Sequence, residues 1–246
     1  MKKDIKAVVL AAGKGTRINS EQSDAPKVMR EVLGRPILSF VLDALTFIDK
    51  ENTIPVVGYK RESVIECFGG YLFAVQHEQL GTGHAIMAAQ EQLSSHKGAV
   101  LICYGDMPAM RRETYETLIN THFEQGNDCT LLTGTSKLPM AFGRIVRGKD
   151  GAFERVVEEK DASPEELDIK ELNTGVYVFD TQKMLNALSQ LKNNNSQGEY
   201  YATDIPAIMK SKGDKIGILM QDLGDDIIGV NTSDELAIVE EILKKR

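Results

Sequence analysis

Cysteine and histidine are both scarce in this chain of 246 residues. The three cysteines lie far apart and form no C-x-x-C pair: Cys67, Cys103 and Cys129. The four histidines show no H-x-x-x-H or comparable spacing: His77, His84, His96 and His122. These patterns argue against a disulfide framework and against a zinc site built from cysteine or histidine. They are typical of a protein in a reducing compartment, and we therefore expect a cytoplasmic location.

Long apolar runs and an excess of basic residues are also missing. No apolar stretch approaches the roughly 18–20 residues that a membrane helix needs, so no membrane partner is expected. The net charge of −7 disfavours nucleic acid as a partner. However, seven of the lysines and arginines fall within the first 30 residues, against three acidic residues. This local basic cluster suits a small polyanionic ligand.

Short β-rich apolar runs alternate with stretches whose apolar residues recur about every 3.6 positions. The predicted strands are Ile5–Ala11, Thr53–Gly58, Ala99–Tyr104, Cys129–Thr133, Gly143–Val146, Val156–Glu158, Asn173–Phe179 and Lys215–Leu219. The predicted helices are Ile37–Phe47, Gly83–Leu93, Arg112–Glu124 and Gln182–Leu188. The alternation of strand and helix through the first half predicts an α/β fold with a mostly parallel central sheet flanked by helices.

No internal repeat, low-complexity segment or long linker interrupts the chain. We therefore predict a single domain over residues 1–246. The polar stretch of residues 137–172 is predicted to form a small insertion lobe within it. A last helix is predicted after Thr232, because Thr232 and Glu235 form a T-x-x-E capping box ahead of an apolar face.

The first predicted strand runs into a loop of small residues. Gly13 and Gly15 allow the backbone to approach a bulky anion, and Lys14 and Arg17 stand beside it. The loop is not a P-loop, which needs four residues between its first glycine and G-K-[ST]. It is not the dinucleotide fingerprint either, because Ile18 stands where the third glycine belongs. Taken alone, the G-x-G pattern fits an ordinary tight turn as well as a phosphate site.

The segments that follow this loop favour the phosphate site. The order L-A-A-G-K-G-T-R, then P-K-V, then G-R-P-I-L resembles the signature of the sugar nucleotidyltransferase superfamily. Further blocks in the family's order are Gln76–Ala85, Tyr104–Pro108, Phe142–Ile145, Val157–Ala162, Asn173–Gly175, Asn195–Asp204 and Gly229–Asn231. Within the superfamily the chain is most similar to the uridylyltransferase domain of the bacterial N-acetylglucosamine-1-phosphate uridylyltransferases. The resemblance implies a Rossmann-like nucleotidyltransferase fold.

The resemblance also implies a reaction. A uridylyl group would pass from UTP to N-acetylglucosamine 1-phosphate, giving UDP-N-acetylglucosamine for cell-wall peptidoglycan and releasing pyrophosphate. The attacking phosphate oxygen is already ionised at neutral pH, so no serine or cysteine nucleophile and no strong base are required. Such a reaction needs positioning and positive charge around the phosphates. The absence of a G-x-S-x-G motif agrees with this expectation.

Four residues are expected to supply charge and metal ligands. The resemblance assigns Arg17 to the leaving pyrophosphate and Lys27 to the transferred phosphate. Asp106 follows an apolar strand, so it should lie at a carboxyl end, where open parallel sheets bind ligands. Asp106 and Asn231 match family positions that hold Mg²⁺, which prefers oxygen ligands and takes only one or two from protein. The alternatives are a surface cation for Arg17 or Lys27 and turn or cap positions for Asp106 and Asn231.

Two loops are assigned by the resemblance to the nucleotide. The assigned residues are Leu10, Ala11, Ala12, Gly13 and Gly15 in the first loop, and Gln76, Gln79, Gly81 and Thr82 in the second. The amide of a glutamine can both donate and accept, which matches the N3–H and O4 edge of uracil. Thymine presents the same edge, so dTTP is not excluded. The alternative is that these are ordinary exposed loop residues.

The sugar is assigned to a third set of residues. Gly143, Glu158 and Asn173 align with family residues that hold the hexosamine. A carboxylate can accept from two ring hydroxyls, and an amide can bridge a hydroxyl and the acetyl group. Tyr201 and Thr203 either approach the phosphate or serve in packing.

Two rival functions remain open. The first is a nucleotidyltransferase for another acceptor, such as glucose 1-phosphate, or an alditol phosphate with CTP. The second is a non-catalytic nucleotide-sugar-binding protein, against which the joint presence of Arg17, Lys27, Asp106 and Asn231 argues. The bifunctional bacterial enzymes also carry an acetyltransferase built from hexapeptide repeats. No such repeats occur before Arg246, so no acetyltransferase domain is expected in this chain.

Overall fold

The computed structural model describes residues 4–15, 25–135 and 142–246, which form eleven strands, nine α-helices and five short 3-10 helices. The strands are β1 (Ile5–Leu10), β2 (Glu31–Val32), β3 (Arg35–Pro36), β4 (Thr53–Val57), β5 (Ala74–Val75), β6 (Ala99–Tyr104), β7 (Cys129–Gly134), β8 (Arg144–Arg147), β9 (Phe153–Val157), β10 (Leu172–Asp180) and β11 (Ile216–Gln221). The helices are α1 (Ile37–Ala44), α2 (Arg61–Cys67), α3 (Thr82–Ala88), α4 (Gln90–Leu93), α5 (Arg112–Gln125), α6 (Pro164–Leu167), α7 (Thr181–Leu188), α8 (Ile205–Ser211) and α9 (Ser233–Lys244). None of the helices in these ranges has the length and apolar character needed to cross a membrane.

The central sheet has the strand order β11-β7-β10-β6-β1-β4-β5. Strand β1 pairs in parallel with β4 and β6, and β4 pairs in parallel with β5. Strand β10 runs antiparallel between β6 and β7, and β11 is parallel to β7. The predicted α/β class with a mostly parallel central sheet is therefore confirmed. Helices cover both faces, which is why β1 and β6 are apolar along nearly their whole length.

Successive residues of the central strands face opposite layers of the core. Val8 and Ile102 pack into one apolar cluster with residues of α3, α7 and α8. Val9 and Leu101 pack into a second cluster with residues of α1 and α5. Helix α9 packs through the buried Val239 against a third, smaller cluster around β2 and the start of α1. This alternation fixes the register of each strand and so fixes which loops meet at the sheet edge.

The middle of the chain extends the sheet. Strand β8 pairs antiparallel with β9, and Arg144 of β8 pairs with Leu172 at the start of β10. Helix α6 begins with a capping box between Ser163 and Glu166. The described part of the expected insertion lobe, residues 142–172, is thus joined to the main sheet through one strand. The assignment of residues 1–246 to one domain stays a prediction.

The predicted elements are present, with shifted ends, and several short elements were not predicted. The expected helix Gly83–Leu93 is divided into α3 and α4, because Ala89, with φ −92° and ψ 4°, leaves the helical region. Elements β2, β3, β5, α2, α6 and α8 were missed. They are two to seven residues long, too short for a periodic pattern to emerge. Pro206 near the start of α8 was a usable signal, since proline is favoured in the first turn of a helix.

Candidate active site

The loops that follow β1, β4 and β6 meet at the carboxyl edge of the parallel part of the sheet. The backbone N–H of Ala11 donates to the carbonyl of Val56 at 2.9 Å. The N–H of Gly105 donates to the carbonyl of Leu10, also at 2.9 Å. These bonds continue the strand pairing by one residue and hold the three loops together. Open parallel sheets bind ligands at this edge.

The predicted loop residues Leu10, Ala11 and Ala12 are buried at this edge. The two glycines that follow, Gly13 and Gly15, differ in the space around them. Gly15 has φ +68°, and a Cβ atom there would stand 2.8 Å from Cβ of Lys27. Only glycine fits this position, because the loop passes directly over the Lys27 side chain. Among the described residues, no atom lies within 4 Å of where a Cβ on Gly13 would stand. Arg17 lies outside the described residues, and its assignment stays a prediction.

Lys27, Asp106 and Asn231 come from three distant parts of the sequence and meet in space. The Lys27 ammonium donates to Oδ2 of Asp106 and, at 2.7 Å, to Oδ1 of Asn231. Lys27 is only 9% exposed although it is a lysine. A buried ammonium is stable only where it is paired and hydrogen-bonded, and both conditions are met here. The structure thus brings together the three described residues predicted to carry charge and metal ligands.

The start of α9 fixes the position of Asn231. The N–H of Val230 donates to the carbonyl of Asp106 at 2.9 Å, which joins the two segments. The capping carboxylate of Glu235 accepts from the N–H of Asn231 at 2.6 Å and from the N–H of Thr232 at 2.7 Å. The predicted capping box is therefore present, and it also orients a proposed metal ligand.

The oxygens of Asp106 and Asn231 suit a magnesium ion. Both already point at one cation, the Lys27 ammonium. One carboxylate and one amide oxygen form the small all-oxygen set that Mg²⁺ takes from protein when phosphates and water supply its remaining ligands. The residues present therefore fit the expected metal.

The second nucleotide loop turns back on itself around Gln76. Gln76 is 4% exposed, and its Nε2 donates to the carbonyl of Gly81 at 3.1 Å. The same Nε2 lies 3.2 Å from Nδ1 of His84. Gly81 has φ +108°, and a Cβ atom there would stand 2.6 Å from the carbonyl oxygen of Tyr200. Glycine is therefore required at this turn. The turn brings the His84 ring within hydrogen-bonding distance of the Gln76 amide.

The other two predicted residues of this loop have different surroundings. Gln79 is exposed. Its Nε2 lies 2.9 Å from where a Cβ on Gly58 would stand, just beyond β4, so Gln79 reaches toward the nucleotide edge of the sheet. The hydroxyl of Thr82 accepts from the N–H of Ala202 at 3.0 Å, so it ties the loop to the segment before α8.

The three residues assigned to the sugar come together between the lobe and β10. The N–H of Asn173 donates to the carbonyl of Gly143 at 2.9 Å. A Cβ on Gly143 would stand 2.8 Å from a methyl of Val156, so the residue just before β8 packs closely against β9. Asn173 is 3% exposed and its Nδ2 donates to the Tyr177 hydroxyl at 2.7 Å. Its Oδ1 is buried and has no hydrogen-bond partner within the described ranges.

Glu158 lies at the end of β9, facing the segment before α8. Its Oε1 accepts from the hydroxyl of Thr203 at 2.9 Å. Burial raises the pKa of Glu158, and the carboxylates of Asp204, Asp161 and Glu199 raise it further, against the lowering effect of the Thr203 hydrogen bond. The carboxyl group is therefore easier to protonate than an ordinary glutamate.

The segment of residues 195–204 is hydrogen-bonded to the lobe. The Tyr201 hydroxyl donates to Oδ2 of Asp161 at 3.1 Å. Ser196 donates its N–H to Oδ1 of the same carboxylate at 2.9 Å, and Lys160 donates to Oε1 of Gln197 at 2.5 Å. Tyr201 and Thr203 thus bind carboxylates of the lobe, and Lys160 and Asp161 shape the contact.

Sequence reasoning gave Tyr104 no role, yet it stands between the two predicted subsites. Burial raises its pKa, and the negative charges of Glu158 and Asp106 add to this effect. A Cβ on Gly175, which has φ +76°, would lie 2.4 Å from the Tyr104 ring. Tyr104 therefore occupies the space that Gly175 leaves open. The usable signals were its position at a strand end before Gly105-Asp106 and the glycine in Asn173-Thr174-Gly175.

The family comparison agrees with this architecture and edge site. The family model for the MobA-like NTP transferase domain matches residues 7–199. The chain belongs to this family of nucleotidyltransferases, whose members typically use a divalent metal.

Among curated proteins, the chain is 41% identical over 241 residues to the bifunctional protein GlmU of Streptococcus thermophilus strain LMD-9. It is 44% identical over 241 residues to the bifunctional protein GlmU of Exiguobacterium sibiricum. These alignments cover 98% of this chain and 52–53% of the relatives, so the chain spans about half of their length. The resemblance read from the sequence motifs is therefore confirmed.

A solved structure from Bacillus anthracis shares the fold. That protein is described as a glucose-1-phosphate thymidylyltransferase and was crystallised in complex with sucrose. The two chains superpose with a TM-score of 0.74 and 18% identity, over 98% of this chain and 96% of the other. At this level of identity the similarity establishes the nucleotidyltransferase fold alone.

Proposed function

We propose that this protein transfers a uridylyl group from UTP to N-acetylglucosamine 1-phosphate, forming UDP-N-acetylglucosamine and pyrophosphate. The observation that carries the proposal is the convergence of Lys27, Asp106 and Asn231 at the carboxyl edge of the parallel sheet. A basic group and a small oxygen set at this edge suit the phosphates of a nucleotide and a divalent cation. The relationship to the bifunctional protein GlmU supports the same assignment.

The chemistry requires charge and alignment more than a base. A phosphate oxygen of the sugar 1-phosphate attacks the α-phosphorus of UTP, and the bond from that phosphorus to the bridging oxygen of the β-phosphate breaks. Mg²⁺ held by Asp106 and Asn231 would neutralise phosphate charge. The Lys27 ammonium would move from these two oxygens to the transferred phosphate and stabilise the charge that builds there. Arg17 is assigned to the leaving pyrophosphate.

The sugar side offers a hexose a buried hydrogen-bond acceptor. Oδ1 of Asn173 is a buried acceptor with no partner in the described part of the chain, which is costly unless a ligand supplies a donor. The N–H of an acetamido group or a ring hydroxyl would supply that donor. Glu158 would accept from ring hydroxyls on the facing side. The close packing of Gly143 against Val156 leaves no room for a larger side chain at position 143.

A matrix of substrates tests the proposal. The protein is incubated with Mg²⁺ and each pair of UTP, dTTP or CTP with N-acetylglucosamine 1-phosphate or glucose 1-phosphate, and the nucleotide sugars are identified by mass spectrometry. We expect UDP-N-acetylglucosamine as the main product. A main product with glucose would overturn the assigned sugar, and a main product with CTP would overturn the assigned nucleotide. Nucleotide binding without turnover in any pair would favour a non-catalytic binding protein.

A further inference from the structure

The amide of Gln76 is held in one orientation by two acceptors. Its Nε2 carries two hydrogens and lies 3.1 Å from the carbonyl oxygen of Gly81 and 3.2 Å from Nδ1 of His84. A carbonyl oxygen can only accept, so the nitrogen end of the amide must face Gly81. The His84 nitrogen beside it must then accept the second hydrogen. Both hydrogens are therefore committed, and Oε1 remains as the group that Gln76 offers to a ligand.

The bond to Gln76 also assigns the roles of the two ring nitrogens of His84. An imidazole nitrogen that accepts a hydrogen bond carries no proton, so Nδ1 is the acceptor in this contact and Nε2 carries the N–H. Rotating the Gln76 amide by a half-turn would place Oε1 against the lone pair of the Gly81 carbonyl, so this carbonyl sets which end of the amide faces it. The bond to His84 is the second anchor that holds the Gln76 side chain in place.

We infer that His84 is a positioning residue for base choice, which holds Gln76 so that the site takes a base with an imide N–H and disfavours cytosine. The inference rests on the proposed function, in which Gln76 meets the base. Uracil and thymine carry a hydrogen on N3 that Oε1 of Gln76 can accept. Cytosine carries a lone pair on N3, which Oε1 repels. Discrimination of this kind, in which a fixed polar group is left unpaired by the wrong ligand, is stronger than discrimination by shape.

The surroundings of His84 allow the ring to be replaced. His84 lies on α3, half-buried, with its ring centroid 6.3 Å from that of Tyr200. On its open side is a cavity of about 390 Å³, lined also by Leu80, Met87 and Leu188. Phenylalanine at position 84 can therefore keep the ring contact and remove the acceptor without overpacking. Asparagine can place an amide oxygen near the position of Nδ1 and so keep the acceptor.

The test compares His84→Phe with the unchanged protein for three nucleotides. We measure kcat/KM with UTP, dTTP and CTP, and dissociation constants for the same nucleotides by calorimetry. His84→Phe should lower the preference for UTP over CTP by about fivefold or more, the effect of losing one hydrogen bond. The preference between UTP and dTTP should stay unchanged, because both bases present the same imide edge. His84→Asn should restore most of the preference over CTP, and Met87→Leu, in the same cavity, should behave like the unchanged protein.

The outcomes separate the inference from the proposed function. Equal losses with all three nucleotides in His84→Phe, or an unchanged preference over CTP, would overturn the role of His84 even if the protein makes UDP-N-acetylglucosamine. Failure of the unchanged protein to turn over UTP would count against the proposed function instead. The calorimetric preference for UTP over CTP, and its loss in His84→Phe, would still support the inference in that case.

Discussion

The ammonium of Lys27 binds the carboxylate of Asp106, 79 residues further along the chain. The same ammonium also binds Asn231, so one lysine occupies both of the side chains proposed to hold magnesium. A cation is therefore already in place before any metal arrives. A metal held by these oxygens would compete with the lysine until a triphosphate draws the lysine away. Metal binding would then depend on the nucleotide.

Removing the lysine charge should therefore strengthen metal binding in the absence of nucleotide. In Lys27→Met, Asp106 keeps its charge and loses its partner, which costs about 1–3 kcal/mol of folding free energy. We expect this variant to bind Mn²⁺, used as a spectroscopic substitute for Mg²⁺, several-fold more tightly than the unchanged protein. Electron paramagnetic resonance titration measures the free ion. Equal or weaker binding by Lys27→Met would contradict the competition, and Asp106→Asn should abolish the gain in the double variant.

Asp106 should matter for turnover more than for nucleotide affinity. Asp106→Asn keeps the shape of the side chain and removes its charge, so the metal and Lys27 both lose their main partner. We expect kcat to fall about 100-fold or more, as for other groups that stabilise charge in a transition state. Asp43→Asn, which alters an exposed partner of Arg35, is the matched control and should leave kcat unchanged. Full turnover in Asp106→Asn would exclude Asp106 from the reaction.

The raised pKa of Glu158 should appear in the pH dependence of sugar binding. The carboxylate form is proposed to accept hydrogen bonds from the sugar, and it is lost as the pH falls through this raised pKa. The KM for the sugar 1-phosphate should therefore rise on acidification earlier than an ordinary glutamate would require. Glu158→Gln should have a higher KM at neutral pH and a flatter profile. Parallel profiles in both proteins would assign the pH dependence to another group.

The same pKa has a consequence for stability. The folded state binds a proton at Glu158 more tightly than the unfolded chain does. The contribution of Glu158 to stability therefore falls as the pH rises from the ordinary glutamate pKa of about 4.3 through the raised pKa of the folded state. Glu158→Gln should therefore increase the free energy of unfolding at neutral pH. The increase should shrink as the pH falls through this window. Urea titrations at several pH values measure both effects, and a gain that grows on acidification would contradict them.

The two glycines of the first loop should respond differently to alanine. Gly15→Ala places a Cβ 2.8 Å from Lys27 at φ +68°, so we expect a loss of about 1–2 kcal/mol in stability and a lower kcat. Gly13→Ala places a Cβ that meets no atom of the described residues within 4 Å, and it should leave the stability nearly unchanged. If the nucleotide contacts Gly13, this variant should raise the KM for UTP and leave the KM for the sugar 1-phosphate unchanged. Equal destabilisation by the two variants would show that the loop is not held against Lys27.

The sequence was most informative about the sheet and least informative about the contacts between loops. Strands such as Ala99–Tyr104 were recognisable because their residues are apolar on both faces. The meeting of Lys27, Asp106 and Asn231 could not be derived from spacing, since three separate loops create it, and only the resemblance indicated it. His84 was visible in its motif, but its role depends on the reversal at Gly81, which brings residue 84 back onto Gln76. Asp161 binds the Tyr201 hydroxyl and the backbone of Ser196 in the adjoining segment, contacts that its motif alone did not indicate.

Release of pyrophosphate from UTP and N-acetylglucosamine 1-phosphate tests the central claim most directly. The reaction is followed with Mg²⁺ and with EDTA, and with each substrate omitted in turn. The account predicts release only when Mg²⁺ and both substrates are present. In Asp106→Asn the rate of release should be lower by about 100-fold or more. Release without the sugar phosphate, or release that continues at full rate in EDTA, would contradict a metal-assisted transfer to that acceptor.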